Sequence, residues 1–170
     1  MNNVIIALAT PPLKSALALI RISGEGCFAM TDKLFSKKVS GIKDKTIFVG
    51  HIKDGGEDID LVEVLAYPGP KTMTGEDVVE ISCHGSMLIA NEIIGAYLKQ
   101  GARYATRGEF SSRAFYNGKM DLVEAEAVND LINATSSESK KLSLMSLNGA
   151  TSKLVAPLKK EIADLLSLIE

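Results

Sequence analysis

The 170-residue sequence has no tryptophan, few aromatic residues (5%) and only two cysteines, Cys27 and Cys83. Two cysteines cannot build the disulfide framework of a small secreted domain, so we expect free thiols and a reducing, cytoplasmic location. No apolar run is long enough to cross a membrane, and the short apolar start lacks the basic residues of a signal peptide. These absences favour a cytoplasmic protein with no membrane partner.

A basic excess is also missing, since the net charge is −2. Residues 1–119 contain 14 basic and 13 acidic side chains, and the rest contains 5 and 8. A domain that grips nucleic-acid phosphates by itself normally carries a clear basic excess. No GxxxxGK[ST] run is present, so the chain cannot bind GTP in the P-loop manner.

Metal-ligand spacing is missing as well. Cys83 and His84 are adjacent, and neighbours on a strand point to opposite faces. Cys27 and His51 lack the paired spacing of zinc ligands. We therefore expect no metal site, and Cys83 is interpreted as a buried structural cysteine.

What is present predicts an α+β fold with a small mixed sheet over residues 1–118. Strands are predicted at 4–9, 16–23, 46–53, 59–67, around Glu80 and at 102–105. Helices are predicted at 24–35, 86–100 and 108–116.

After Lys119 the pattern becomes purely helical. Asp121 is placed as the N-cap of a helix reaching 134, and a second helical pattern runs from Ser136 to the end. Gly149 and Pro157 should weaken or kink that pattern. Because it is still in phase at Ile169, we expect the helix to continue into further sequence.

Two charged residues occur in apolar strand patterns. Glu80 lies between Val79 and Ile81, and a carboxylate is costly to bury unless a partner holds it. Glu80 therefore points to solvent or binds a specific partner. Arg21 ends a mostly apolar strand face, so its guanidinium lies in water or points into a cleft that binds an anion or carbonyl. The turn after Cys83 has backbone amides that could face a ligand.

Four motifs together resemble one family. They are Ala9-Thr-Pro-Pro12, Arg21-Ile-Ser-Gly24, Thr74-Gly-Glu-Asp-Val-Val-Glu80 and the run from Arg107 to Leu122 that contains Arg113-Ala-Phe-Tyr-Asn-Gly-Lys119. In this order they resemble the N-terminal part of MnmE, also called TrmE, a family of tRNA-modification GTPases, and the resemblance spans the whole chain.

The chain departs from the family pattern in two loops. Leu13-Lys14-Ser15 stands where the family has Gly-Arg-Gly, and Ser86 replaces a glycine after His84-Gly85. Glycine lets a backbone bend or approach closely, so these changes are expected to alter loop shape and, with it, affinity for the ligand that the family binds.

The resemblance implies a tetrahydrofolate-binding-like fold for residues 1–118, which would also dimerise, and the start of a helical domain for residues 119–170. It implies binding of 5-formyl-tetrahydrofolate, or 5,10-methylene-tetrahydrofolate, with contacts at Arg21, Glu80 and Lys119. It also implies a homodimer, the flavoprotein partner MnmG, and tRNA as the substrate modified at C5 of the wobble uridine. GTP, Mg²⁺ and K⁺ would bind only in a GTPase domain that these residues do not include, so the chain is expected to be a piece of a longer protein.

Two other functions stay open. A stand-alone folate-dependent aminomethyl transferase would need its own acid or base, for which Asp77 and Glu109 are the candidates. A purely structural dimerisation scaffold would bind no folate. For Lys119, a lysine after Asn-Gly, a solvated turn position is the alternative to ligand contact.

Overall fold

The computed structural model describes residues 4–167, and its contacts divide the chain into two compact units between Asn117 and Gly118. The first unit contains a mixed sheet with helices, and the second is helical. The predicted α+β class is therefore confirmed. The assignment of residues 1–118 and 119–170 to two domains of a larger protein stays a prediction.

The first unit is built on six hydrogen-bonded strands. They are β1 (Ile5–Leu8), β2 (Leu17–Ser23), β3 (Thr46–Asp54), β4 (Glu57–Tyr67), β5 (Val78–His84) and β6 (Arg103–Tyr104). Their order in the sheet is β3-β4-β5-β2-β1-β6. The pairings are antiparallel except for β1 with β6, which is parallel. The strands predicted at 46–53 and 59–67 form a hairpin, β3 with β4, whose turn uses Gly55 and Gly56 at φ values of 59° and 95°.

The helices of this unit are α1 (Cys27–Leu34), α2 (Met87–Lys99) and α3 (Glu109–Tyr116). In α2, Ile93, Ile94 and Tyr97 recur at helical spacing and are buried. The helix ends before Gly101, whose φ of 98° suits only glycine. Helices α1 and α2 pack on the same face of the sheet and bury its apolar residues, among them Ile20, Ile22, Val79 and Ile81.

The opposite face of the sheet is called the Arg21 face. It carries the alternate residues of the same strands, as the period of two requires. Four of its apolar side chains are exposed, by between 49% and 66%: Leu17, Ile47, Val49 and Leu61. In β2, Ala18, Ile20 and Ile22 are buried on the helix-covered face, and Arg21 lies on the other.

The second unit consists, within the described residues, of α4 (Leu122–Ile132), α5 (Ser137–Leu147) and α6 (Ala150–Leu166). Asp121 is the N-cap of α4 as predicted, and it forms a capping box with Glu124. Ser136 caps α5 in the same way.

The predicted breaks in the last helical pattern differ in outcome. Gly149 separates α5 from α6 and has a φ of 74°, so the chain bends there. Pro157 lies inside α6 and does not end it, and the expected weakening or kink at this residue stays a prediction. Proline removes one helical hydrogen bond, and because this stretch is exposed, water can bond the carbonyl left free. Ile169 and the expected continuation lie outside the described residues.

Among residues 4–167, no helix has the length and apolarity needed to cross a membrane.

Candidate functional site

Arg21 and Glu80 meet although they are 59 residues apart in sequence. They are directly opposite each other in the antiparallel register of β2 and β5. Arg21 Nε donates a hydrogen bond to Glu80 Oε1 at 2.7 Å, and Nη2 lies 2.7 Å from the same oxygen. The side chains are 29% and 17% exposed. Glu80 therefore has the specific partner that its sequence context requires.

The orientation of the pair follows from the strand period. Val79 and Ile81 are fully buried under the helices, which places Glu80 on the Arg21 face. The pair is thus supported from below by a packed core, which limits how far either side chain can move.

Neighbouring side chains leave part of Glu80 available. Tyr67 donates a long hydrogen bond of 3.5 Å to Glu80 Oε2, while Arg21 Nη1 lies 3.6 Å from the Met73 sulfur. The Arg21 guanidinium also lies 5.8 Å from the centre of the Phe110 ring. Burial, and then the Glu80 charge, raise the pKa of Tyr67, so the phenol stays a hydrogen-bond donor at neutral pH. Oε2 is the more available acceptor, because both strong donors of Arg21 bond Oε1.

The pair forms part of the wall of a cleft of about 240 Å³. The cleft combines paired charges, a phenol, two lysines and apolar surface; its lining residues are Arg21, Lys45, Tyr67, Lys71, Thr72, Met73, Thr74, Val78 and Glu80. A few polar groups converging in a partly apolar cleft are typical of small-molecule sites. Tyr67 was missed at the sequence level. Strand alternation alone could have placed it on the face that carries Leu65, the β4 partner of Glu80.

A hydrogen-bonded network holds the turn on one side of the cleft. Ser23 Oγ lies 2.7 Å from Thr74 Oγ1 and donates to Glu76 Oε2 at 2.8 Å. Arg113 Nη1 donates to both Glu76 oxygens, at 3.0 and 2.9 Å. Asn117 Nδ2 donates to the Thr74 carbonyl at 2.7 Å. Three of the motifs quoted above therefore meet at the 74–77 turn.

The candidate acids of the stand-alone transferase do not line the cleft. Asp77 Oδ1 accepts the Gly69 N–H at 2.8 Å. The hydrogen bond from Arg103 to Glu109, supported by Thr106 and Arg113, holds the pKa of Glu109 well below its usual range. A carboxylate that stays ionised and bonded in this way is a poor proton donor.

Lys119 is exposed and belongs to the second unit, just before α4. Arg21 and Glu80 belong to the first unit, so the site geometry described above involves residues of that unit alone. A ligand contact at Lys119 stays a prediction.

The turn after β5 differs from its expected role. The His84 N–H donates to Asp60 Oδ2 at 2.8 Å, and the Gly85 N–H donates to the Ala16 carbonyl at 3.1 Å. These amides are bonded within the protein, so the expectation that they face a ligand is wrong. Cys83 is buried and His84 exposed, as the strand period requires, and burial raises the pKa of the Cys83 thiol to about 11.

The two loops that lack family glycines adopt ordinary backbone conformations. No described residue other than glycine has a positive φ, and Ser86 is extended at a φ of −97° as the N-cap of α2. In this chain these positions therefore do not need glycine for backbone reasons.

Among residues 4–167, no group of three or more metal-binding side chains comes together.

Comparison with known proteins adds a family match. Residues 4–119 match the family described as "GTP-binding protein TrmE N-terminus". The chain is 45% identical, over 98% of its length, to the tRNA modification GTPase MnmE of Thermotoga petrophila. It is 42% identical to the protein of that name from Cytophaga hutchinsonii and 43% identical to that of Lactiplantibacillus plantarum, each over 99% of its length. The chain spans about 37% of the length of these relatives.

Proposed function

This chain belongs to the MnmE (TrmE) family of tRNA modification GTPases, and we propose that it forms the tetrahydrofolate-binding and dimerisation part of a protein of that family. The observation that carries the proposal is the Arg21–Glu80 pair in the wall of the cleft. The longer protein would act with the flavoprotein MnmG on tRNA in the cytoplasm. It would install a carboxymethylaminomethyl-type group at C5 of the wobble uridine, with the folate as one-carbon donor. GTP, Mg²⁺ and K⁺ would belong to its GTPase domain.

The chemistry of the pair suits a pterin. A pterin edge presents a ring N–H beside an amino group, and a carboxylate accepts both through short, charge-assisted hydrogen bonds. Arg21 fixes the orientation of the Glu80 carboxylate through its hydrogen bond to Oε1, while Oε2 stays available to the cleft. Met73 and Val78 supply apolar surface for the ring. Lys119 is retained in the proposal as a contact to the folate's carbonyl or carboxylate groups.

The test is a calorimetric titration of 5-formyl-tetrahydrofolate into the wild type and into Glu80→Gln. Glutamine keeps the shape but replaces one acceptor oxygen with an amino group, whose hydrogens would oppose the pterin donors. We expect affinity to fall by about 1–3 kcal/mol, which is roughly 5- to 150-fold.

Glu92→Gln is the matched control, because Glu92 is exposed on α2, away from the Arg21 face, and does not line the cleft. It makes the same change of charge and should leave affinity within about twofold. Thermal melts would confirm that both variants are folded. If Glu80→Gln bound as tightly as Glu92→Gln, Glu80 would not be a ligand contact.

Dimerisation is supported by the Arg21 face. Its exposed apolar side chains, Leu17, Ile47, Val49 and Leu61, form the kind of surface that proteins usually cover with a partner. We expect light scattering at tens of micromolar to give a dimer. Leu61→Lys should shift it towards monomer, whereas Leu88→Lys, an equally conspicuous exposed leucine but on α2, should not. A monomeric wild type would contradict dimerisation of this chain.

A further inference from the structure

A second cleft, which we call the lysine cleft, adjoins the one that holds Arg21 and Glu80. Its volume is about 300 Å³. Lys45, Tyr67 and Lys71 line both clefts, so the two share a wall. The lysine cleft adds Lys43 and Asp44 on one side and the turn at 68–70 on the other.

The lysine cleft concentrates positive charge in an otherwise slightly acidic chain of net charge −2. Lys43, Lys45 and Lys71 are all exposed, and within residues 4–167 none of them forms an ion pair. Asp44 is the one carboxylate among the lining residues. By contrast, Lys53 lies 2.9 Å from an Asp58 oxygen. The ammonium groups of the lysine cleft therefore remain available to a ligand.

We propose that the lysine cleft binds the γ-linked oligoglutamate tail of a folate whose pterin lies against Glu80. This inference rests on the proposed function. The Arg21–Glu80 cleft, at about 240 Å³, is smaller than the roughly 300–1,000 Å³ of typical ligand sites, so a whole folate must extend beyond it. Because the two clefts share a wall, the rest of the folate would extend into the lysine cleft.

The charges of the two clefts match the two ends of such a ligand. Glu80 accepts hydrogen bonds, as the donor-rich pterin edge requires, while the tail carries only carboxylates beyond its amide links. Lysines act as point charges on flexible stems, which suits a chain of carboxylates better than one fixed geometry. Each added glutamate contributes one negative charge that the excess of lysines over Asp44 can bind.

A nucleic-acid backbone is the other polyanion that lysines attract. The described lining of the lysine cleft contains no arginine, and Tyr67 is its one aromatic residue. The unit also lacks the basic excess usual for phosphate binding. These features favour a short carboxylate chain over tRNA. Binding of tRNA is measured in the test below as the alternative.

The test compares 5-formyl-tetrahydrofolate as monoglutamate and as triglutamate, by titration into the 170-residue chain. Exposed ion pairs are individually weak, but several together should make the triglutamate bind about tenfold more tightly. This preference should decrease as salt is added. It should disappear in the triple variant Lys43→Gln, Lys45→Gln and Lys71→Gln, and increase in Asp44→Asn.

The matched control is Lys33→Gln with Lys37→Gln and Lys38→Gln, which changes the net charge equally at exposed lysines that line neither cleft. It should keep the tenfold preference. Equal binding of both folates to the wild type would overturn the tail site and leave the proposed function intact, whereas no binding of either would overturn both.

Two further outcomes would overturn the inference. One is a preference that survives in the triple variant. The other is an absent preference combined with a loss of tRNA binding in the triple variant but not in the control, which would assign the lysines to a nucleic-acid surface.

Discussion

Replacing Arg113 with methionine should destabilise the first unit more than any nearby change of charge. Arg113 is 8% exposed. Its Nη1 donates to both Glu76 oxygens, at 3.0 and 2.9 Å, and its Nη2 donates to Glu109 Oε1 at 3.2 Å. Methionine retains much of the apolar stem but leaves two carboxylates without this partner.

The magnitude follows from the burial of those carboxylates. Removing one partner of a fully buried ion pair costs about 3–5 kcal/mol, because a charge is left uncompensated. The side chains of Glu76 and Glu109 are 22% and 13% exposed, so water recovers part of the loss. We therefore expect the free energy of unfolding to fall by about 2–4 kcal/mol.

The chain offers a probe confined to the first unit. It has no tryptophan and four tyrosines, at positions 67, 97, 104 and 116, all before the division at Asn117. Tyrosine fluorescence during urea unfolding therefore reports this unit, even if the helical unit unfolds separately. Arg107→Met is the control, since Arg107 is exposed and absent from the ion pairs of the described residues. It should change stability by less than about 0.5 kcal/mol.

A double variant separates lost attraction from general damage. In Arg113→Met with Glu76→Gln, one stranded carboxylate is gone, so the combined loss should be smaller than the sum of the single losses by at least about 1 kcal/mol. Strict additivity, or a loss below about 1 kcal/mol in Arg113→Met alone, would refute the network as a source of stability.

The remaining predictions use the same unfolding assay or a simple chemical probe. Gly85→Ala should lower the free energy of unfolding by about 1–3 kcal/mol, since a Cβ there would lie 2.2 Å from the Ser15 carbonyl oxygen. Gly95→Ala, in α2 with nothing within 4 Å of its Cβ, should instead gain up to about 1 kcal/mol, and the reverse order would contradict the packing. The folded pKa of Glu109 is lowered, so the free energy of unfolding of the wild type should exceed that of Glu109→Gln by a constant amount above about pH 5. This difference should shrink below about pH 4.3, the pKa of an unfolded glutamate. A difference that grows in acid would refute the assignment. Both thiols are buried, so Ellman's reagent at pH 8 should label neither until urea is added, and labelling of a folded thiol would show that it is exposed.

Local features of the fold were predictable because short-range chemistry determines them. The β3–β4 hairpin follows from two alternating runs around Gly55 and Gly56. Asp121 follows from the preference for a carboxylate at a helix start. The effect of Pro157 stays a prediction, because this residue removes a hydrogen bond within α6 without ending the helix.

The partner of Glu80 could be narrowed but not identified from the residues alone. Strand alternation places Glu80 and Arg21 each on one face, yet only the register of β2 with β5 puts them directly opposite. Register depends on contacts between segments distant in sequence. The family resemblance named both residues as ligand contacts without implying that they bind each other. The turn after Cys83 could not be judged from the sequence either. Its amides bond Asp60 and Ala16, which are distant in sequence.

The structure also separates two roles within the motif that contains Glu80. Thr74 and Glu76 are held by Ser23 and Arg113 from two other motifs, so much of the shared pattern serves to fix the turn beside the cleft. Glu80 instead presents an oxygen to the cleft itself. Under the proposed function, residues that hold the turn would affect a ligand only by positioning the turn, and residues that face the cleft would affect it by direct contact. Affinity should therefore fall only as far as stability falls for the first kind, whereas for Glu80 the loss of affinity should come in addition to the stability lost with its Arg21 ion pair.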